Sequence, residues 1–268
     1  MIFSRFGYET RPRVLPGAVF ICVLLSAGGA LADPATLTEV GRGKATAVTG
    51  DHLRVDGVES EIVLAGIVAP RGRIEPFAAP LADEARDALA ALLAGRTVSV
   101  RPIAEASDRA GRLRAHLLRD DGLWVAAELL RQGFARVALN ADTDDAGADL
   151  LAAEADARKA RRGLWAHPAY APHAAEDADQ LNRDVGTFQI VAGAVTSTAR
   201  RGDFMYLNFG ADYRDDVTVV IPRDAWTSFR KMRPLTLTGK RIEARGWVVR
   251  HNGPEIEVRS PALLNVLD

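Results

Sequence analysis

Apolar and polar residues alternate with a period of two through GKATAV (43–48), DHLRVDGVESEIVLAGI (51–67), RTVSVRPI (96–103) and RLRAHLLRDDGLW (112–124). That period sends successive side chains to opposite faces, so these segments predict half-buried strands, about five in all. Asp56-Gly57 and Asp121-Gly122 are hairpin signals within them. The period then changes in LADEARDALAALLAG (81–95), where Ala85, Ala88, Leu89, Leu92 and Leu93 share one helical face, acids occupy the first turn and Gly95 marks the stop. VAAELLRQG (125–133) and ADLLAAEADARKARRGLW (148–165) predict two further helices, each closed by a glycine. Arg158, Lys159, Arg161 and Arg162 sit where the negative end of the last helix favours them, and Trp165 follows as a packing anchor. Strands and helices in this order suit a five-stranded barrel of the OB type with three helices.

The second half repeats the alternation in TFQIVAGAVTST (187–198), DFMYLNFG (203–210), DVTVVIP (216–222) and KRIEARGWVVRHNGPEIEVRSP (240–261). An Asn252-Gly253 hairpin joins the last two strands, and RDAWTSFRKM (223–232) predicts a short helix. This pattern predicts a second, smaller OB-like β-barrel, giving an α+β chain that is mainly β. The stretch 171–186, rich in Ala and acids and without periodicity, is the expected linker between a first domain at 33–170 and a second at 187–268.

Residues 1–32 break the pattern altogether. Arg5, Arg11 and Arg13 precede the apolar run VLPGAVFICVLLSAGGA, and Ala30-Leu31-Ala32 offers small residues for a signal peptidase, so a signal peptide cleaved before Asp33 is expected. The run is short and interrupted by Pro16 and glycines, and no transmembrane segment is expected after cleavage. The expected location is outside the cytoplasm, periplasmic or secreted. Cys22, the single cysteine, falls inside this leader, so disulfides and thiol chemistry are not expected of the mature chain. Residues 33–268 carry 31 Lys+Arg against 34 Asp+Glu, which does not advertise a polyanion partner. The balance is uneven, however: residues 187–268 have 12 basic and 9 acidic side chains, so the second half is the better place for an anion.

The blocks AVTGDHLRV, VLAGIVAP, PLADEARDALAALLAGRTV, SDRAGRLRAHLL, AAELLRQGFARV and AEADARKARRGLW, in this order, resemble the staphylococcal nuclease (thermonuclease) family over about residues 43–168. The resemblance implies an OB-type barrel and hydrolysis of phosphodiesters with a calcium ion held by carboxylates, a glutamate that activates water and two arginines that stabilise the developing charge. Carried over residue by residue, Asp51 matches the first metal carboxylate and Arg112 one catalytic arginine. The other arginine position holds Val63, the second metal carboxylate Val68, its neighbour Ala69 and the water-activating glutamate Arg71. Leu139 and Ala110 stand where the family usually has substrate-contacting tyrosines. The expectation is a pseudo-nuclease that acts as a binding or scaffold protein, with no cofactor; calcium enters only if a residual or altered nuclease has rebuilt the site.

Glu59, Glu61, Glu75 and Glu84 are the acids near enough in sequence for such rebuilding, and solvated surface acids are the simpler expectation for all four. Arg71, Arg73, Arg109 and Arg112 are candidates for an anion-binding patch. In the second half, Phe204 and Tyr206 with Arg230, Lys231 and Arg233 are the candidate binding face for single-stranded nucleic acid or an oligosaccharide, with Tyr213 close by in sequence. Expected partners are therefore nucleic acid or another polyanion, or envelope proteins. GRGKAT lacks the hydroxyl residue and following helix of a phosphate loop, and His52, His116, His167, His173 and His251 show no metal-ligand spacing.

Overall fold

The computed structural model describes residues 33–71, 73–74, 77–108, 110–139, 146–212 and 216–267. The expected signal peptide, with Cys22, lies outside the described residues, as do Glu75, Arg109 and Tyr213. All described residues fall within one compact unit. No helix among them is long and apolar enough to cross a membrane.

The first half contains β1 (Gly41–Ala47), β2 (His52–Val55), β3 (Ile62–Leu64), β4 (Ile67–Val68), β5 (Arg73–Ile74), β6 (Phe77–Ala78), α1 (Ala82–Leu93), β7 (Thr97–Ser107), β8 (Leu113–Arg119), α2 (Val125–Gln132), β9 (Arg136–Val137) and α3 (Gly147–Lys159). Strands close into a barrel in the order β1-β2-β3-β8-β7, and β1 returns to β7 with Gly41 opposite Val100. Alternation supplies the inside: Leu53, Ile62, Leu64, Val98, Val100, Ala115 and Leu117 are all buried. Leu89 and Leu93 of α1 and Leu129 and Leu130 of α2 belong to the same apolar cluster. The turns ending α2 and α3 touch backbone to backbone. A Cβ on Gly133 would sit 2.3 Å from the Arg162 carbonyl oxygen, and one on Gly163, at φ +52°, would sit 2.4 Å from that of Gly133.

The second half contains β10 (His173–Ala174), α4 (Ala178–Arg183), β11 (Phe188–Ala194), β12 (Ser197–Arg201), β13 (Phe204–Asn208), β14 (Thr218–Pro222), β15 (Arg241–Arg250), β16 (Pro254–Glu257) and β17 (Leu264–Val266). They form one eight-stranded sheet in the order β10-β11-β15-β16-β14-β13-β12, with β17 alongside β15. Among the described residues the hydrogen bonding is an open path rather than a ring. Asn252 and Gly253 lie at the β15–β16 hairpin, as their sequence predicts. The expected helix over 223–232 is instead two 3-10 turns, Arg223–Ala225 and Ser228–Arg230, followed by a third at Pro234–Thr236. Thr227, Ser228 and Pro234 disfavour a continuous α-helix, and burying Phe229 fixes the chain in these shorter turns. Residues 171–186 carry β10, which pairs in parallel with β11, and α4, whose Leu181 is fully buried.

Buried apolar residues of both halves form one contiguous cluster. A charged latch crosses between the halves beside it. Arg158 of α3 donates to both oxygens of Glu243 on β15, at 2.8 and 2.6 Å. Arg245, two residues along β15, donates to Glu154 of α3 and, at 3.1 Å, to Glu243. Glu154 also accepts from the Val137 backbone N–H at 2.8 Å. Burial alone would raise the Glu243 carboxyl pKa, but hydrogen bonds and charge from Arg158 and Arg245 outweigh it and hold the value below the ordinary range. Alternating signs along four side chains let two buried carboxylates and a buried guanidinium coexist.

Removing only one member strands the others. Arg245→Ala is expected to lower stability in urea unfolding by about 3–5 kcal/mol, because Glu154 then stays buried without its cation. The Arg245→Met, Glu154→Gln double variant is expected to recover more than half of that loss, since glutamine still accepts from Val137 and no charge is left unpaired.

Candidate functional site

The site begins in the turn between β1 and β2. Thr49 Oγ1 accepts from the His52 backbone N–H at 3.1 Å and donates to Asp51 Oδ1 at 3.0 Å. Gly50 permits a close approach here: a Cβ on it would lie 2.7 Å from the methyl carbons of both Ala69 and Ala85. The Asp51 side chain is thereby drawn fully inside. Its Oδ2 accepts from the Ala69 backbone N–H at 3.1 Å and from Arg71 Nη1 at 2.7 Å. The buried carboxylate is thus neutralised by the Arg71 guanidinium.

The same Arg71 nitrogen lies 2.8 Å from His52 Nε2, and His52 Nδ1 lies 3.2 Å from Glu61 Oε1. A guanidinium only donates, so Nε2 accepts; the imidazole then carries its proton on Nδ1 and donates it to Glu61. Arg112 Nη1, 3.3 Å from Nδ1, meets a donor and makes no hydrogen bond there in this tautomer. Burial is the main cause that holds the His52 pKa below its ordinary value; the charges of Arg71 and Arg112 add to it, while Asp51 and Glu61 oppose it. A neutral imidazole is what Arg71 requires of its second acceptor.

Arg112 is committed elsewhere. Its Nε donates to Asp108 Oδ2 at 2.7 Å, while Asp108 Oδ1 accepts from the backbone N–H groups of Ala110 and Arg112. Burial would raise the Asp108 pKa, but these hydrogen bonds lower it on balance. Val63 stands directly across from His52 on one side and Arg114 on the other. Val68 and Ala69 are buried and bring no side-chain oxygen. Of the four candidate anion-binding arginines, Arg71 and Arg112 are paired as described; the Arg73 side chain and all of Arg109 lie outside the described residues. Glu61 turns to His52, and Glu59 and Glu84 are exposed.

Calcium takes six to eight oxygen ligands. Asp51 is one carboxylate, and both of its oxygens are engaged by Thr49, Ala69 and Arg71. Among the described residues no group of three or more His, Cys, Asp or Glu side chains is disposed to hold a metal. This donor set does not fit calcium. The second half closes over the same place, with Trp247 of β15 carrying its ring 5.8 Å from the Arg71 guanidinium carbon.

The candidate face of the second half divides in two. Phe204 and Tyr206, with rings 6.2 Å apart, share one sheet face with Ala199 and Asn208. The opposite face carries Arg200, register partner of Met205, over the Trp226 ring, and Thr198, register partner of Leu207, donating to the Leu235 carbonyl. Trp226 and the 3-10 turn Pro234–Thr236 pack on that second side, while Arg230, Lys231 and Arg233 are exposed. Alternation along β13 marks two faces but not which one the following turns cover.

Sequence reasoning passed over two residues of the region. His52, whose sequence position offers no role beyond an isolated metal ligand, is the hub between Arg71 and Glu61. Arg136 sits inside the apolar block GFARV, and its burial is the only signal it gives.

Residues 61–167 match the family model described as Staphylococcal nuclease homologue. They supply three of the five barrel strands and all three helices of the first half, and Asp51 lies ten residues before the matched span. No curated protein matches the chain.

Two buried histidines make the fold sensitive to acid. Burial holds the His116 pKa down at about 4, against an ordinary 6.5, and lowers that of His52 as well. Between the two values the unfolded chain binds more protons, so this stability is complete above about pH 6.5 and is lost as pH falls through the folded values. For His116 the loss is roughly 3 kcal/mol. Urea unfolding followed from pH 7 to pH 4 is expected to show it, and His116→Gln is expected to give a shallower slope across that window.

Proposed function

We propose, taking residues 61–167 as a staphylococcal nuclease-type domain, that this chain has lost calcium-dependent phosphodiester hydrolysis and works as an exported binding or scaffold protein. The observation that carries the reading is the Asp51–Arg71 pair, in which a cation from the chain itself neutralises the first metal carboxylate. Arg71 also takes the place of the base that would activate water, and Val63 that of one charge-stabilising arginine. Each missing base or donor is worth roughly a hundred-fold in rate, so their combined absence leaves little catalysis even when the losses are not additive. The leader-like sequence of residues 1–32 supports export to the periplasm or beyond.

A second reading, binding of a single strand or an oligosaccharide by the second half, has one observation in its favour. A groove of about 220 Å³ runs along Tyr206, Asn208, Thr218, His251 and Glu255. Among the described residues its wall carries one cation, Arg201, and one acid, Glu255, beside the Tyr206, Asn208 and Thr218 polar groups, a mixed lining that suits a neutral, hydroxyl-rich chain better than a polyanion.

Hydrolysis of single-stranded DNA by residues 33–268, with calcium and with a chelator, tests the first reading beside an Asp51→Ala, Arg112→Ala double variant. The expected result is no calcium-dependent rate above that of the variant. A calcium-dependent rate that the double substitution abolishes contradicts the reading and means that another acid has rebuilt the site.

A further inference from the structure

A cavity of about 150 Å³ lies where the first barrel meets the second sheet, next to Arg71. Among the described residues its charged wall groups are Arg71 and Arg136, and no aspartate or glutamate lines it. The Tyr170 hydroxyl, the remaining ionisable wall group, donates to the Pro80 carbonyl and has its pKa pushed up to about 12 by burial, so it adds no negative charge. The remainder of the wall is largely apolar, with Val68, Leu164, Phe188 and Trp247.

Arg136 is the unusual member. It is only 3% exposed, yet every acceptor it reaches is uncharged. Nη1 donates to the Phe188 carbonyl at 3.2 Å and to Gln189 Oε1 at 3.4 Å, and Nη2 donates to the Tyr170 carbonyl. Nε is buried without a hydrogen-bond partner. Among the described residues no carboxylate lies within ion-pair distance of it, in contrast to Arg245, which has two. The rings of Tyr170 and Trp165, 5.0 and 5.8 Å from its guanidinium carbon, offset only part of the charge. Burial lowers its pKa to about 10, which still leaves it a cation at neutral pH. Glu154 favours the charge from beyond ion-pair distance, but a buried cation with no direct ion-pair partner among the described residues is still costly, and a cavity beside it gives room for an anion.

We propose that this cavity binds a small organic anion, with its carboxylate or phosphate group held by Arg136 and Arg71 and an apolar body against Phe188 and Trp247. A volume of about 150 Å³ is on the scale of a single benzene-sized ring, which sets the size of that body. Trp247, 43% exposed, marks the solvent side. The site is distinct from phosphodiester hydrolysis and does not depend on the reading above: it uses the Arg71 and Arg136 guanidinium groups together with residues contributed by the second half of the chain.

Benzoate and phenyl phosphate separate the two head groups, and benzyl alcohol serves as the uncharged control. Titration calorimetry on residues 33–268 is expected to show binding of at least one anionic probe and none of benzyl alcohol. Arg136→Lys, which keeps the charge but loses the planar fork, is expected to weaken binding about tenfold or more. Trp247→Ala is expected to weaken the aromatic probe while leaving the fold intact, and it carries the test if Arg136 variants do not fold. No heat with either anion at about 10 mM, equal binding of benzyl alcohol, or binding unaffected by Trp247→Ala overturns the proposal. An arginine serving only as a clamp would cost stability on substitution without any response to the probes.

Discussion

A fully buried carboxylate needs a cation, and at Asp51 that cation is the guanidinium of Arg71. One nitrogen of Arg71 serves two acceptors, the Asp51 carboxylate and His52 Nε2, and so fixes the imidazole tautomer that lets Nδ1 donate to Glu61. Thr49 and the Ala69 amide complete the shell. Each polar group here has its partner within the chain, and none of the arrangement calls for a metal. Removing the arginine would leave a naked buried charge, whereas adding calcium would require displacing an ion pair already formed at 2.7 Å.

The second half of the chain completes this closure. Trp247 stands over Arg71, and Arg136 reaches across to the carbonyl of Phe188 and the side chain of Gln189. On the far side of Arg136, the latch of Glu154, Arg245, Glu243 and Arg158 joins α3 to β15. The two halves meet through buried guanidinium groups as much as through apolar surface. Their planar, rigid donors suit bidentate contacts that lysines could not make. The closed barrel therefore presents the Asp51–Arg71 pair to a neighbouring sheet.

Much of the fold was legible. Period-two alternation in residues 43–124 marked the barrel strands, and the 3.6-residue period of 81–95 marked α1, because burial on one face is imposed at every repeat. Less legible was the stretch 223–232, where Thr227 and Ser228 interrupt an apolar spacing that a helix would otherwise use. At the site, the residue types at 51, 63, 68 and 71 could be read by position. What could not be read was that Arg71 turns inward onto Asp51, since a surface arginine and a buried one have the same letter and similar neighbours. The same limit hid Arg136 and His52, whose roles come from contacts with residues distant in sequence. The faces of β13 were readable from alternation, but not that Trp226 and the turn at Pro234–Thr236 cover the Arg200 face.

The central claim is that Arg71 takes the place of the metal, and the thermal unfolding of residues 33–268 with and without calcium tests it most directly. A site of Kd about 0.1 mM would add about 2.7 kcal/mol of stability at about 10 mM calcium. The account predicts no shift in melting temperature for the native sequence. A rise of several degrees with calcium, lost on Asp51→Asn substitution, would contradict it.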